Sequence, residues 1–190
     1  AFKDCSSLQI VNIPNTVKSI GNWAFSGCSN LQTIDIPDSV ERIGGDAFSY
    51  CTNLQTVIIP NSVESIGNGT FYRCSSLKEI DIPDSVESIG NEAFKDCSSL
   101  QTVIIPNSVK SIGDEAFKDC SSLQTVIIPN SVESIGEKAF EGTPWEKINN
   151  KIRQRQSNPY MPNIKWLFSE PMAGLLVSQF FRQKKIHFSK

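Results

Sequence analysis

The chain has 190 residues, of which 39% are hydrophobic and 20% charged, a composition that permits a packed core and argues against wholesale disorder. Its net charge of −2 hides an asymmetry: residues 1–143 carry 9 basic and 18 acidic side chains, whereas residues 144–190 carry 9 and 2. An acidic main body repels phosphate backbones, which excludes nucleic-acid binding there, and the single histidine, His187, excludes a two-histidine metal site anywhere and a histidine-dependent triad within residues 1–143.

The chain starts at Ala1 without a Met or a secretory signal, and its first residues already belong to a repeated pattern. It therefore reads as a fragment or a processed chain, and the missing targeting segment says nothing about compartment. The longest apolar run, residues 172–177, is far too short to span a bilayer. Cys5, Cys28, Cys51, Cys74, Cys97 and Cys120 recur at a constant interval. Phe2 to Phe140, Pro14 to Pro129 and Gly21 to Gly136 keep the same step. Six copies without insertion point to a solenoid, in which each unit is one turn of a coil.

Within the sixth unit the elements follow in order. Leu123, Val126 and Ile128 reproduce the L-x-x-L-x-L strand signature, and alternation sends Val126 and Ile128 inward and Thr125 and Ile127 outward. Pro129 ends the strand, because it lacks an N–H for the next rung, and Asn130-Ser131 turns the chain. Val132 and Ile135 then point back inside, with a second short strand as one option. Gly136 is expected to supply a positive φ at the next corner, and residues 137–141 a short helical turn that buries Ala139 and Phe140. A single coil buries too few large side chains to offset the entropy of ordering its own backbone. Stacking must supply the rest.

The stretch Ala116-Phe117-Lys118-Asp119-Cys120-Ser121-Ser122-Leu123-Gln124-Thr125-Val126-Ile127-Ile128-Pro129, followed by Ser131-Val132-Glu133-Ser134-Ile135-Gly136, closely resembles the BspA-type leucine-rich repeat of bacterial and protist surface proteins. Gly142-Thr143-Pro144-Trp145 matches an element that often closes such arrays. The resemblance covers residues 1 to about 147. It implies a non-enzymatic recognition or adhesion module displayed outside the cell, without naming a ligand. The fold class expected is an α/β repeat solenoid: a leucine-rich repeat with a parallel β-sheet on one face, short helical turns and a helical C-terminal cap.

The cysteines lack the C-x2–4-C pairs of a zinc site. Equivalent positions on stacked coils lie about 4.8 Å apart with parallel Cβ vectors, whereas a disulfide needs Cβ atoms about 3.8 Å apart and turned toward each other. A column of buried thiols is expected, with neither metal nor cofactor. Catalysis is not expected. The serines sit at turns, and Asp35 and Asp81 are separated by the Ile58 coil. The candidate binding residues lie on the outward strand face: Thr56 and Ile58, then Thr102 with Ile104 and Thr125 with Ile127, a small apolar and hydroxyl patch. The competing reading is that β-branched residues simply suit a strand. Trp23, Tyr50, Tyr72 and Arg73 fall on different coils and read as incidental surface variation. Asn68-Gly69-Thr70 is a glycosylation sequon that matters only in a eukaryotic secreted chain.

Three regions follow: a six-repeat solenoid over 1–143, a capping helix within 144–156, and a basic extension over 157–190. Thr143 as N-cap, Pro144 at N1 and Glu146 at N3 fit a capping box, and Trp145, Ile148 and Ile152 share one helical face. The helix is placed at about residues 144–155. The extension holds a proline-rich loop and one amphipathic helix at residues 173–185, for which membrane contact is the minor option beside an extra cap element. At the other end, residues 8–13 would be an uncovered edge strand, so further coils precede Ala1 or the chain associates or frays there. The partner expected is a protein ligand such as host extracellular matrix or another cell surface, with no nucleic acid. A spacer or stalk presenting another domain is the alternative, and an intracellular scaffold the third.

Overall fold

The computed structural model describes residues 2–156, with side chains through Asn150. The chain divides into two compact units, residues 1–149 and 150–190, and the fold described is that of the first. The basic extension and its amphipathic helix lie outside the described residues.

Each coil contributes a three-residue strand or one or two isolated bridges to one ladder and a two-residue strand to another. The first ladder holds β2 (Thr33–Asp35), β4 (Thr56–Ile58), β7 (Thr102–Ile104) and β9 (Thr125–Ile127). β2 pairs with β4 and β7 with β9, all parallel, each residue facing its counterpart one repeat away. Single bridges, Asn12 to Asp35, Ile58 to Asp81 and Glu79 to Thr102, carry the same register through the intervening coils. The second ladder is made by β1 (Ser19–Ile20), β3 (Arg42–Ile43), β5 (Ser65–Ile66), β6 (Ser88–Ile89), β8 (Ser111–Ile112) and β10 (Ser134–Ile135). Here β1 pairs with β3, and β5, β6, β8 and β10 form one four-stranded parallel sheet. The second strand, left open by the sequence, is therefore real.

The segment expected to be a short helical turn is not helical. It is a run of tight turns, and in it alternate N–H groups leave the coil altogether. The N–H of Phe25, Phe48, Phe71, Phe94 and Phe117 donates to the alanine or threonine carbonyl of the next coil at 2.7–2.9 Å. The groups between them close local turns, as when Ala24 N–H bonds Gly21 O and Cys28 N–H bonds Phe25 O. A helix would direct all of these bonds inward along its own axis. The run instead makes a third inter-coil ladder and satisfies the backbone of the third side. It needs two left-handed residues per coil, as at Trp23 (φ 53°) and Gly27 (φ 76°), or Asp46 (φ 54°) and Tyr50 (φ 60°).

Gly136 does not adopt the positive φ expected of it. The glycine column exists for close approach instead. A Cβ on Gly113 would sit 2.5 Å from Asn91 N and Asn91 Oδ1 and 2.6 Å from Gly90 C. Those asparagines are structural. Asn68 Oδ1 accepts from Asn91 N–H and Asn91 Oδ1 from Asp114 N–H, each at 2.9 Å, so the corner side chains tie coil to coil.

Between the three ladders lies a single core built in columns. Phe2, Phe25, Phe48, Phe71, Phe94, Phe117 and Phe140 form a stack with ring centroids 5.1–5.6 Å apart and nearly parallel planes. Cys28, Cys51, Cys74, Cys97 and Cys120 are buried in file beside it. Each Sγ–H donates to the carbonyl of the phenylalanine in the preceding coil at 3.1 Å, from Cys28 to Phe2 through to Cys120 to Phe94. The thiols thus serve as small apolar fillers and also give a second hydrogen bond to carbonyls that already accept a cysteine N–H of their own coil. All six cysteines are free, and Cys5 in the first coil is exposed.

The stack ends on Trp145, whose ring lies 4.8 Å from that of Phe140 at 54°. Trp145 belongs to α1 (Pro144–Gln156), so the capping helix forms where the sequence places it. Thr143 is the N-cap, with Oγ1 accepting from Glu146 N–H at 3.0 Å. The reciprocal half of the capping box is not made, because Thr143 N–H already donates to Phe140 O. Ile148, expected to share the inward face with Trp145, is exposed, and the side chain of Ile152 lies outside the described residues. Val132 and Ile128 of the last coil are only half-buried and Ile135 is exposed, although the equivalent Val109, Ile105 and Ile112 are buried. At the opposite end Phe2 and Ile10 are exposed, and the first ladder thins to one bridge at Asn12.

Candidate functional site

The pleat of the first ladder decides which side chains are free. In β4 the pattern is Thr56 out, Val57 in and Ile58 out. In β7, Val103 is buried between half-buried Thr102 and exposed Ile104. In β9, Val126 is buried between exposed Thr125 and half-buried Ile127. The outward columns therefore carry the candidate residues as the alternation requires. Register brings four of them together: Thr102 faces Thr125 and Ile104 faces Ile127. Ile58 stands apart. It pairs with Asp35 on one side and Asp81 on the other, so it is an aliphatic side chain flanked by two carboxylates. Thr56 pairs with Thr33. The two groups are separated by the coil of Glu79 and Asp81, and the six residues make one four-residue patch and one isolated pair.

The thiols offer no chemistry to this face. Burial pushes Cys51 and Cys120 up from the ordinary value of 9.0 to about 12, and it raises Cys74 and Cys97 well above that ordinary value. They stay protonated and unreactive. No group of three or more His, Cys, Asp or Glu side chains placed to hold a metal ion occurs among the described residues. No helix of the described residues is long and apolar enough to cross a membrane.

The model of the BspA-type leucine-rich repeat region matches in six copies, over residues 1–104 and 41–161. The chain belongs to the BspA-type leucine-rich repeat family. Solved structures agree. A leucine-rich cell surface protein of Faecalibacterium prausnitzii is 37% identical over 60% of this chain and 30% of its own, with a TM-score of 0.59. A leucine-rich repeat protein of Eubacterium ventriosum is 32% identical over 72% of this chain and 37% of its own, at 0.67. The leucine-rich repeat protein of T. pallidum is 30% identical over 77% of this chain and 79% of its own, at 0.60. The chain thus spans about a third of the length of the first two. A search of the curated proteins finds no significant match.

The sequence reading missed a cluster on the turn side of this BspA-type array. Tyr50, Tyr72 and Arg73, read as scattered, meet there. The tyrosine rings are edge to face with centroids 5.3 Å apart, and the Arg73 guanidinium lies 5.5 Å from one and 5.3 Å from the other. Arg73 also pairs with Asp96 at 3.2 Å. Beyond it the ladder continues through Lys95 with Glu115 (2.6 Å) and Lys118 with Glu141 (3.2 Å). The Lys95 ammonium holds the Glu115 carboxyl below its ordinary range. The signal that would have found the cluster is the period itself: Tyr72 falls just short of one full repeat after Tyr50, one coil up and almost directly above. Within the sequon Asn68 is exposed, with its Oδ1 accepting from Asn91 N–H. Thr70 is fully buried and its hydroxyl donates to Gly67 O at 2.9 Å.

Proposed function

We propose that this BspA-type array is a non-catalytic recognition or adhesion module that takes a protein ligand at the cell surface or outside the cell, through the outward columns of its first ladder. The observation that carries the reading is the in-register pairing of Thr102 with Thr125 and Ile104 with Ile127, which sets aliphatic side chains and hydroxyls side by side on a rigid strand face. Apolar groups rimmed by polar ones favour partner binding, and a stack of coils presents them without a conformational cost. Similarity to a bacterial cell surface protein supports the location. The outer surface is also where the coils differ, whereas the core columns repeat. Near-identity of the fifth and sixth coils favours a second reading, a spacer that holds another domain away from the surface.

Binding to immobilised host extracellular-matrix proteins separates the two. The expected result is binding of at least one of them, weakened at least tenfold, about 1.4 kcal/mol, by Ile104→Asp combined with Ile127→Asp, with the circular-dichroism spectrum unchanged. Full binding by the double variant would overturn the assignment of the face, and no binding by the unmodified chain would favour the spacer.

A further inference from the structure

A second surface, on the turn side and independent of the strand face, departs from the repeat in a concerted way. Two positions in each coil take the left-handed conformation. At the first, the other coils carry Asp46, Gly69, Glu92, Glu115 and Lys138; the second coil carries Trp23. At the second position, the other coils carry Asp4, Gly27, Arg73, Asp96, Asp119 and Gly142; the third coil carries Tyr50. A bulky aromatic residue is disfavoured in that backbone region, and neither ring is placed in the core, since Trp23 is 51% and Tyr50 43% exposed. Core packing does not account for them.

The same two coils remove bulk between the rings. The position held by Lys3, Tyr72, Lys95, Lys118 and Glu141 elsewhere is Ser26 and Ser49 here. The result is an open groove of about 660 Å³ walled by Trp23 and Tyr50, within the range of ligand clefts. Its floor is the buried pair Ser49 and Ser26, hydroxyl to hydroxyl at 2.9 Å. Ser49 completes its bonding by donating to Asp46 O at 3.0 Å or to Ser26. Asp4 and Asp46 stand at the rim with Lys3, whose ammonium lies 6.0 Å from the Trp23 ring.

We infer that the groove between Trp23 and Tyr50 binds a neutral oligosaccharide. A pyranose ring has an apolar face of C–H groups that packs on an aromatic ring, and hydroxyls at its edge that bond carboxylates and serines. The walls supply the first, and the carboxylates of Asp4 and Asp46 at the rim supply the second, the buried serines giving a small, close floor. Among the lining residues two carboxylates stand against one ammonium, and the Arg73 guanidinium beside Tyr50 is paired with Asp96, which disfavours a sulfated or sialylated glycan. Lys3 already occupies the neighbourhood of the Trp23 ring, which disfavours a cationic ligand. The groove has no enclosed apolar pocket to take a peptide side chain, and its openness along the coils suits an extended chain of sugar rings.

The test is isothermal titration of the full chain with cellohexaose, xylohexaose, mannohexaose and chitohexaose, with heparin hexasaccharide and a mixed hexapeptide pool as controls. Trp23→Gly and Tyr50→Asp each install a residue that another coil carries at that position, so the turn is retained. The expected result is binding of at least one neutral hexasaccharide, weakened at least tenfold by each substitution and unaltered by Ile104→Asp with Ile127→Asp. Absence of binding by all four neutral sugars, binding that survives both substitutions, or binding of heparin or peptide alone would overturn the inference.

Discussion

Replacing Phe71 by alanine is expected to lower the free energy of unfolding by about 3–5 kcal/mol. The ring is fully buried and lies between Phe48 at 5.6 Å and Phe94 at 5.4 Å. Its neighbours cannot collapse into the space left behind, because each coil is pinned on three sides by bonds to the coils above and below. The vacated volume therefore persists as a cavity. Phe2→Ala is the control. Phe2 stacks on one side only and is 47% exposed, so its loss should cost no more than about 1–2 kcal/mol, a fraction of full phenylalanine burial. Urea unfolding followed by circular dichroism gives both values. Because an array couples mainly nearest neighbours, the Phe71 variant should also broaden or split its transition as the two halves uncouple. Equal costs at the two positions would mean that the rings do not form a continuous stack.

The second large effect is expected from a single added methyl group. In Gly90→Ala the new Cβ would lie 2.6 Å from Asn68 Oδ1, 2.7 Å from Asn68 N and 2.8 Å from Gly67 C. Two of these are backbone atoms. The third is an oxygen held by Asn91 N–H at 2.9 Å. Relief requires the coils to separate where Gly90 N–H bonds Ile66 O at 2.8 Å. A loss of about 1–3 kcal/mol is expected from overpacking alone, with more if the corner bonds break. Gly21→Ala makes the complementary case. Nothing lies within 4 Å of its Cβ and its φ is not positive, so the change should be neutral or stabilise by about 0.4–1 kcal/mol through the unfolded chain. Thermal melts of the two variants should therefore shift in opposite directions or leave Gly21→Ala unmoved. A tolerated Gly90→Ala would contradict close approach as the reason for the glycine column.

The alternation of the first ladder was fully legible, because a period of two nested inside the longer repeat leaves each side chain only one face. Val57, Val103 and Val126 lie inside, and the candidate residues do not. What escaped were effects that act between coils rather than along the chain. Residues 137–141 resemble a helical turn in composition, yet the carbonyls of Glu137, Ala139 and Glu141 accept from N–H groups of the preceding coil rather than from a turn of helix. Gly136 suggested a turn, since the usual reason for a corner glycine is φ; here the reason is the backbone of the previous coil, which local sequence does not display. The separation of Tyr50 from Tyr72, and of Trp23 from Tyr50, looked like scatter. One gap is slightly shorter than a repeat and the other slightly longer, so each pair is distant in sequence but only about one coil apart in space. Ile148 followed the helical period of Trp145, but Trp145 alone reaches the end of the phenylalanine stack.

The thiol column makes stability depend on pH with a definite sign. In the unfolded chain the thiols ionise near 9.0, whereas Cys51 and Cys120 resist until about 12. The folded state keeps protons that the unfolded state releases, so this contribution is complete below pH 9 and is lost as pH rises toward 12.

The central claim, that equal lengths of chain stack with identical residues in line behind a continuous wall, is tested most directly by counting reactive thiols with a chromogenic disulfide reagent at neutral pH. One cysteine in six, Cys5, is exposed, and the other five are buried with their S–H groups bonded to carbonyls. Stacked coils predict one fast equivalent in the native chain, lost in Cys5→Ser, and five more only after denaturant is added. Rapid labelling of two or more thiols without denaturant would contradict the claim.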